Sequence, residues 1–122
     1  MIRRITSFAV LAAVAGVVVA VPVLAAPSAT QATTVIVTVG KPSEFKFTLS
    51  KKIVPAGTVT FKLTNKGKID HNFKIGAKVS KKLKPGQSTI LVVTLKKAPA
   101  VAFLCTLPGH APAGMKGAIK VT

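Results

Sequence analysis

The chain has 122 residues with one cysteine and two histidines, and its 18 Lys and Arg against two acidic residues give a net charge of +16. This length supports one domain with a modest core, and a lone cysteine excludes an internal disulfide. The charge favours an anionic partner, but nucleic acid is disfavoured because the lysines are scattered, residues 26–122 lack arginine, and the chain has no Tyr or Trp for base stacking.

The first 25 residues are typical of a secretory signal peptide. Arg3 and Arg4 form a basic region, residues 8–24 are almost continuously apolar, and small residues before Pro27 offer a cleavage site. We expect a helical leader that is removed, with retention as a membrane anchor as the alternative. Either outcome predicts an exported protein that is periplasmic, on the cell surface or secreted. Residues 26–32 then form a linker, and residues 33–122 form one domain.

Apolar residues alternate with polar ones through most of this domain, which predicts strands. The alternating sets, separated by turn signals, are Val35, Val37 and Val39; Phe45, Phe47 and Leu49; Val59, Phe61 and Leu63; His71, Phe73 and Ile75; and Val101, Phe103 and Cys105. Residues 87–95 are predicted to form a strand buried on both faces, and residues 117–121 form the last strand. About seven to eight short strands without a helical period predict an all-β, antiparallel sandwich.

Apart from Met1, every soft metal donor of the chain fits one predicted site. Cys105, His110 and Met115 follow one another at five-residue intervals, and His71 lies upstream. His71 and Cys105 share the parity of buried strand residues, so both should point inward. Two imidazoles, a thiolate and a thioether are the donors of a blue-copper electron-transfer centre. The donor set therefore predicts one type 1 copper ion per chain.

Each of these residues also has a purely structural explanation. A lone histidine, cysteine or methionine in a strand protein is more often part of the core than a ligand. Their joint spacing favours the metal site. Zinc is the alternative ion, but a thioether is a poor zinc donor. With both imidazoles used as ligands, no histidine remains for further copper centres or for an acid–base pair, so we expect no enzymatic activity.

These motifs resemble the cupredoxins, the small blue-copper proteins similar to plastocyanin and azurin. The similarity covers the first-ligand region, a middle turn and the ligand loop: Pro55 to Phe61 with Asn65 and His71 to Phe73; Pro85 to Thr89; and Cys105 to Gly117. It implies a Greek-key β-sandwich with His71, Cys105, His110 and Met115 as the copper ligands. The ligand loop is longer than in plastocyanins, which leaves the subfamily open.

The resemblance also assigns roles around the ligands. It implies that Asn72 joins the two ligand-bearing segments through Thr106, since bonds outside the ligand shell orient ligands and tune the metal. It further implies that His110 is the electron port, within an apolar patch. That patch would consist of Pro108, Ala111, Pro112 and Ala113.

The sequence thus predicts a monomeric one-electron carrier that alternates between Cu(II) and Cu(I). Excluding Arg3 and Arg4 lowers the net charge only from +16 to +14. This charge favours an acidic redox partner, steered by Lys68 and Lys116 near the ligands, or an anionic membrane or cell-wall surface. Two alternatives remain open: a copper-binding or storage protein without an electron-transfer role, and a cationic surface-binding module with a vestigial site.

Overall fold

The computed structural model describes residues 12–24 and 32–122. Residues 12–24 are exposed and have no regular secondary structure, so the helix predicted for the leader is absent from this segment. The segment is rich in β-branched valine, and a short helix without a packing partner is marginal in water. Residues 1–11 and 25 of the predicted leader, and residues 26–31 of the predicted linker, lie outside the described residues. Within the described ranges, no helix is long and apolar enough to cross a membrane.

Nine strands form two facing sheets in the described part of the chain. They are β1 (Thr33–Val39), β2 (Phe47–Leu49), β3 (Ile53–Val54), β4 (Gly57–Asn65), β5 (Lys74–Ile75), β6 (Lys78–Val79), β7 (Ser88–Leu95), β8 (Ala98–Leu104) and β9 (Lys116–Val121). The strand orders are β2-β1-β4-β7 and β3-β9-β8-β5-β6. The predicted all-β sandwich is confirmed. The strand number exceeds the prediction because β3, β5 and β6 have two residues each, too few to show a period.

Both sheets are mixed, so the antiparallel arrangement predicted from the sequence is wrong for two strand pairs. β1 runs parallel to β4, with Val35 opposite Phe61, and β3 runs parallel to β9. After β2 the chain enters the second sheet as β3 and returns as β4 beside β1. Such a crossover allows parallel pairing, which a tight hairpin does not.

The core lies between the sheets and is built from the alternating residues of the long strands. Val35, Val37 and Val39 of β1 are all fully buried, which confirms the period-two interpretation. Four phenylalanine rings fill the centre with centroid separations of 5.3 to 5.7 Å, two of the pairs edge-to-face and two tilted; they are Phe47, Phe61, Phe73 and Phe103. Such aromatic pairs add about 0.5–1.5 kcal/mol each beyond the area that they bury. The rings therefore join the two sheets close to the predicted ligands, since Phe73 is two residues from His71 and Phe103 is two residues from Cys105.

Strand β7 differs from its prediction, because only one of its faces is buried. Val93 and Leu95 are buried, whereas Ile90 and Val92 are 60% and 54% exposed. β7 is the edge strand of its sheet, and its outer face meets solvent. A continuous apolar run indicates a strand, but it does not say whether a second layer covers the outer face.

Candidate metal centre

Cys105 comes directly after β8, and the sheet sets the direction of its side chain. Phe103 and Cys105 are both buried, with Cys105 only 1% exposed. This confirms the parity argument for an inward thiol. The backbone N–H of Cys105 donates to the carbonyl oxygen of Met115 at 3.1 Å, so the two ends of the ligand loop are joined.

His71 lies between β4 and β5, and its backbone is bonded on both sides. Its N–H donates to the carbonyl oxygen of Leu83 at 3.0 Å, and the N–H of Leu83 donates back to His71 at 2.7 Å. The imidazole is completely buried. This two-way bridge fixes the segment that carries the first predicted ligand.

The ligand loop is a series of tight turns between β8 and β9. The N–H of His110 donates to Leu107 at 3.1 Å, and the N–H of Met115 donates to the carbonyl oxygen of His110 at 3.1 Å. Gly109 and Gly114 have φ angles of 81° and 111°, a backbone region that other residues rarely adopt. Met115 is fully buried. The loop thus returns its last residue to the interior beside its first.

The structure brings three predicted donor atoms together. His71 Nδ1 lies 3.1 Å from His110 Nδ1, and His110 Nδ1 lies 3.4 Å from Cys105 Sγ. One donor atom from each of these three residues lies within 4.8 Å of the others. With bonds of about 2.0–2.1 Å to imidazole nitrogen and 2.3 Å to thiolate, as Zn²⁺ shows, donors of one ion lie about 3–4 Å apart. The cluster therefore fits a single metal ion, and the buried thioether of Met115 favours copper over zinc.

Asn72 joins the two ligand-bearing segments, as the sequence resemblance implied. Its Nδ2 donates to Thr106 Oγ1 at 2.6 Å, and its Oδ1 accepts from the N–H of Thr106 at 2.7 Å. These bonds tie the residue after His71 to the residue after Cys105. The separation between the two ligands is therefore fixed by a pair of bonds outside the metal site.

Glu44, in the β1–β2 loop, is a residue of the site that the sequence analysis missed. Its Oε1 accepts from the Nε2–H of His71 at 2.7 Å, and its carboxylate also accepts from the N–H groups of Lys68 and Ile69. Burial by itself raises the pKa of Glu44, but the bonds from Lys68, His71 and Ile69 outweigh it and hold the pKa below its usual value. The only available signal was that a strongly cationic domain keeps just two carboxylates.

Phe45 also proves to be part of the site, and it lies in a turn rather than in the predicted strand. Its ring lies edge-on to His110, with centroids 5.1 Å apart, and 6.4 Å from His71. It precedes β2 and lies in the same loop as Glu44. The β1–β2 loop therefore covers both imidazoles.

His110 differs from His71 in its exposure. It is partly exposed, whereas His71 is buried. Partial burial and the neighbouring His71 lower the pKa of His110 from its usual value, against an opposing effect of Glu44. The lowered pKa favours the neutral ring, which is the form that binds a metal.

A shallow groove borders His110 on the outer surface. Its lining combines apolar residues with one ion pair: Ile69, Leu107, Pro108, Asp70 and Lys82. Asp70 and Lys82 pair at 3.7 Å. The predicted apolar patch is also at the surface, since Pro108, Pro112 and Ala113 are exposed and Ala111 is partly exposed.

The cations beside the site include residues that sequence distance did not indicate. Lys46 extends its Nζ to within 3.1 Å of the point that a Cβ on Gly114 would occupy, so it lies against the ligand loop. Lys82 lines the groove beside His110. Both come from segments distant in sequence from Cys105, so proximity along the chain indicated Lys68 and Lys116 but not these two lysines.

Comparison with known proteins supports the geometry. Residues 33–122 match the family of copper binding proteins described as the plastocyanin/azurin family. The chain belongs to this family. It is therefore a cupredoxin, and His71, Cys105, His110 and Met115 form the arrangement of a type 1 copper site.

Individual proteins are similar to this cupredoxin in sequence or in fold. It is 31% identical over 101 residues to the copper-resistant cuproprotein CopI of Vibrio cholerae, across 64% of this chain and 60% of the relative. Auracyanin A, a "blue" copper protein of Chloroflexus aurantiacus, superposes with a TM-score of 0.65 at 21% identity, covering 75% of this chain and all of the other. Rusticyanin of Thiobacillus ferrooxidans gives a TM-score of 0.63 at 21% identity, covering 73% and 76%.

Proposed function

We propose that this cupredoxin is an exported one-electron carrier that binds one type 1 copper through His71, Cys105, His110 and Met115. The observation that carries the proposal is the convergence of the two imidazoles and the thiol within 4.8 Å, beside a buried methionine. These donors come from segments 34 residues apart that Asn72 and Thr106 hold together. A vestigial site would have no need of so many constraints on its ligands.

The chain's own residues supply rigidity and access. Bound copper supplies the one-electron Cu(II)/Cu(I) couple. The sandwich holds Cys105 and His71 in place, and the hydrogen-bonded loop holds His110 and Met115, so the ligands need to move little when the charge on the ion changes. His110 is the ligand that a partner can approach, because it alone of the two imidazoles reaches the surface. The proposal includes no catalytic activity.

The surface around His110 suits an acidic redox protein as the partner. Exposed apolar residues of the ligand loop offer contact area, and Lys46 and Lys82 lie beside it. Positive charge near a docking surface raises the rate at which an anionic partner associates. We propose that the protein acts as a monomer in this encounter.

The proposal of export rests on the sequence of the N-terminal segment. Arg3, Arg4 and the apolar run after them have the layout of an export signal. Fractionation of the producing cells tests this part. A protein found only in the cytoplasm would contradict it, while the copper site would be unaffected.

A copper-handling role is the second candidate, and the similarity to the copper-resistant CopI favours it. The same four ligands would serve it. Stopped-flow mixing of the reduced, copper-loaded protein with an oxidant separates the two roles. When the protein is reduced again and the mixing is repeated, a carrier is reoxidised rapidly in each cycle without losing metal, whereas a storage protein releases copper and turns over few electrons.

The spectrum of the copper-loaded protein tests the site itself. Adding Cu(II) to the purified metal-free protein should give an intense visible band from thiolate-to-copper charge transfer. Cys105→Ser should remove the band and leave the sandwich folded, as judged by circular dichroism. A colourless wild-type mixture, or a coloured Cys105→Ser variant, would contradict the proposed ligand set.

A further inference from the structure

Glu44 makes the shortest contact to either imidazole from outside the donor cluster. Its Oε1 lies 2.7 Å from His71 Nε2, although 27 residues separate the two in sequence. The His71 side chain is fully buried, and that of Glu44 is 26% exposed. In the neutral ring, an Nε2–H bonded to a carboxylate leaves Nδ1 as the unprotonated nitrogen, and that atom faces His110 at 3.1 Å.

The carboxylate is held in place by backbone donors. The N–H of Lys68 donates to both oxygens at 3.0 and 2.9 Å, and the N–H of Ile69 donates to Oε1 at 3.2 Å. The side chain of Asn65 shapes this loop, since it accepts from the N–H of Gly67 at 2.9 Å and donates to the carbonyl oxygen of Ile69 at 2.9 Å. Glu44 is therefore a fixed partner of His71 rather than a mobile surface charge.

Two glycines allow the close approach of the loops that carry this contact. A Cβ at Gly67 would collide with Oε1 of Glu44, and a Cβ at Gly40 would lie 2.6 Å from the Cα of Gly67. At Gly40 and Gly67 the β1–β2 loop and the segment after β4 thus approach each other backbone to backbone. The fold has brought a carboxylate against a metal ligand in a domain that contains only one other acidic residue.

We propose that Glu44 is the positioning residue of the first copper ligand, holding His71 in the metal-binding tautomer and favouring Cu(II) over Cu(I) through its charge. This inference rests on the copper site of the proposed function. A carboxylate bonded to a ligand histidine fixes the ring and raises its basicity. A more basic ligand and a nearby negative charge stabilise the more highly charged ion. Glu44 therefore lowers the reduction potential.

The matched variants are Glu44→Gln and Asp70→Asn. The first keeps an oxygen that can accept from His71, Lys68 and Ile69, since Oε1 alone already does so, but it removes the charge. The second removes the other acidic charge of the domain, which adjoins His71 in sequence but pairs with Lys82 at the surface. Glu44→Ala removes both the charge and the hydrogen-bond acceptor.

Competition titrations and protein-film voltammetry measure the effect. We expect Glu44→Gln to weaken Cu(II) binding about 10-fold or more, the lower end of the range for such partners, with a smaller loss for Cu(I). Each tenfold loss confined to Cu(II) raises the potential of a one-electron couple by about 59 mV. Asp70→Asn should shift the potential much less, because its charge is exposed and already paired.

A second readout needs no copper. The ¹⁵N spectrum of His71 in the metal-free protein should show the Nε2–H tautomer in the wild type and in Glu44→Gln, and a mixture of tautomers in Glu44→Ala. Equal shifts of potential in Glu44→Gln and Asp70→Asn would overturn the proposal, as would an unchanged tautomer in Glu44→Ala. A merely structural role would lower stability without moving either readout.

Failure of this inference is distinguishable from failure of the proposed function. If wild-type protein develops the blue band and Glu44→Gln keeps its potential, the copper site stands and the role of Glu44 is wrong. If wild-type protein stays colourless, the ligand set is wrong whatever the tautomer of His71.

Discussion

The side chain of Asn72 spans the two ligand-bearing segments. It is 7% exposed and makes two bonds to Thr106, one to the hydroxyl and one from the backbone N–H. Because both segments also carry a ligand, the same two bonds contribute to stability and to site geometry.

Asn72→Ala removes both bonds and leaves the N–H of Thr106 without its acceptor. We expect the free energy of unfolding of the metal-free protein to fall by about 1–3 kcal/mol, measured by denaturant titration. Thr106→Val is the control, since it removes only the hydroxyl and should cost less, about 0.5–1.5 kcal/mol. Equal losses in the two variants would show that the backbone bond contributes nothing.

Residues near the site differ in how far the sequence could predict them. Cys105, His110 and Met115 share one loop, so spacing alone indicated a cluster, and strand parity added His71. Glu44 could not be found in this way. Its contact with His71 depends on two loops meeting, and no local pattern encodes the meeting of segments 27 residues apart.

At the scale of elements, the approach of the β1–β2 loop to the segment after β4 positions the outer layer of the site. Gly40 has a φ of 78°, and a Cβ on it would point at the backbone of Gly67. Glu44 and Phe45 lie in the same loop and contact the imidazoles. A change at Gly40 should therefore reach the metal site without altering a ligand.

Gly40→Ala should be costly for two reasons, a strained φ and a collision with Gly67. Gly86→Ala is its control, because Gly86 has a similar φ of 84° with open space around it. We expect Gly86→Ala to lower the free energy of unfolding by about 1–2 kcal/mol, because of backbone strain alone. Gly40→Ala should lower it by about 1–3 kcal/mol more, because of the collision. Only Gly40→Ala should also weaken Cu(II) binding, which competition titration measures. Equal stability and equal Cu(II) affinity in the two variants would contradict this account.

The alternation of apolar residues identified the long strands, but it could not predict which strands pair with one another. The buried valines of β1 follow the predicted parity, yet the parallel pairing of β1 with β4 depends on a crossover through the other sheet. The apolar run of β7 was correctly interpreted as a strand and incorrectly as buried on both faces, because whether a layer covers the outer face is a property of the whole fold. Periodicity reports which faces are apolar, and topology decides what covers them.

At the scale of the molecule, the charge is large and one-sided in sign. Residues 26–122 carry a net charge of +14, and all of their positive charges are lysines. Long-range attraction of anions is screened beyond about 8 Å at physiological ionic strength. Lysines beside His110 should therefore matter more for association than those at the far end of the sandwich.

Lys46→Gln and Lys97→Gln form a matched pair for testing this difference. Both lysines are exposed, but Lys97 precedes the seven-residue strand β8 and Cys105 follows it, so the two lie roughly 25 Å apart, whereas Lys46 lies against the ligand loop. We expect Lys46→Gln to slow oxidation of the reduced protein by hexacyanoferrate(III) about twofold or more at low salt, and Lys97→Gln to have a smaller effect. Stopped-flow measurement at rising ionic strength should remove the difference. Rates that do not depend on salt would contradict electrostatic steering.

The bond between the two ends of the ligand loop has a consequence for variation. Because Cys105 and Met115 are joined by their backbones, the nine residues between them form a closed insert whose ends are set by β8 and β9. We expect that lengthening this insert, with Thr106 and His110 retained, leaves the register of the flanking strands intact. The β-sandwich can therefore stay constant while the ligand loop varies, so that the properties of the metal change without a change of fold.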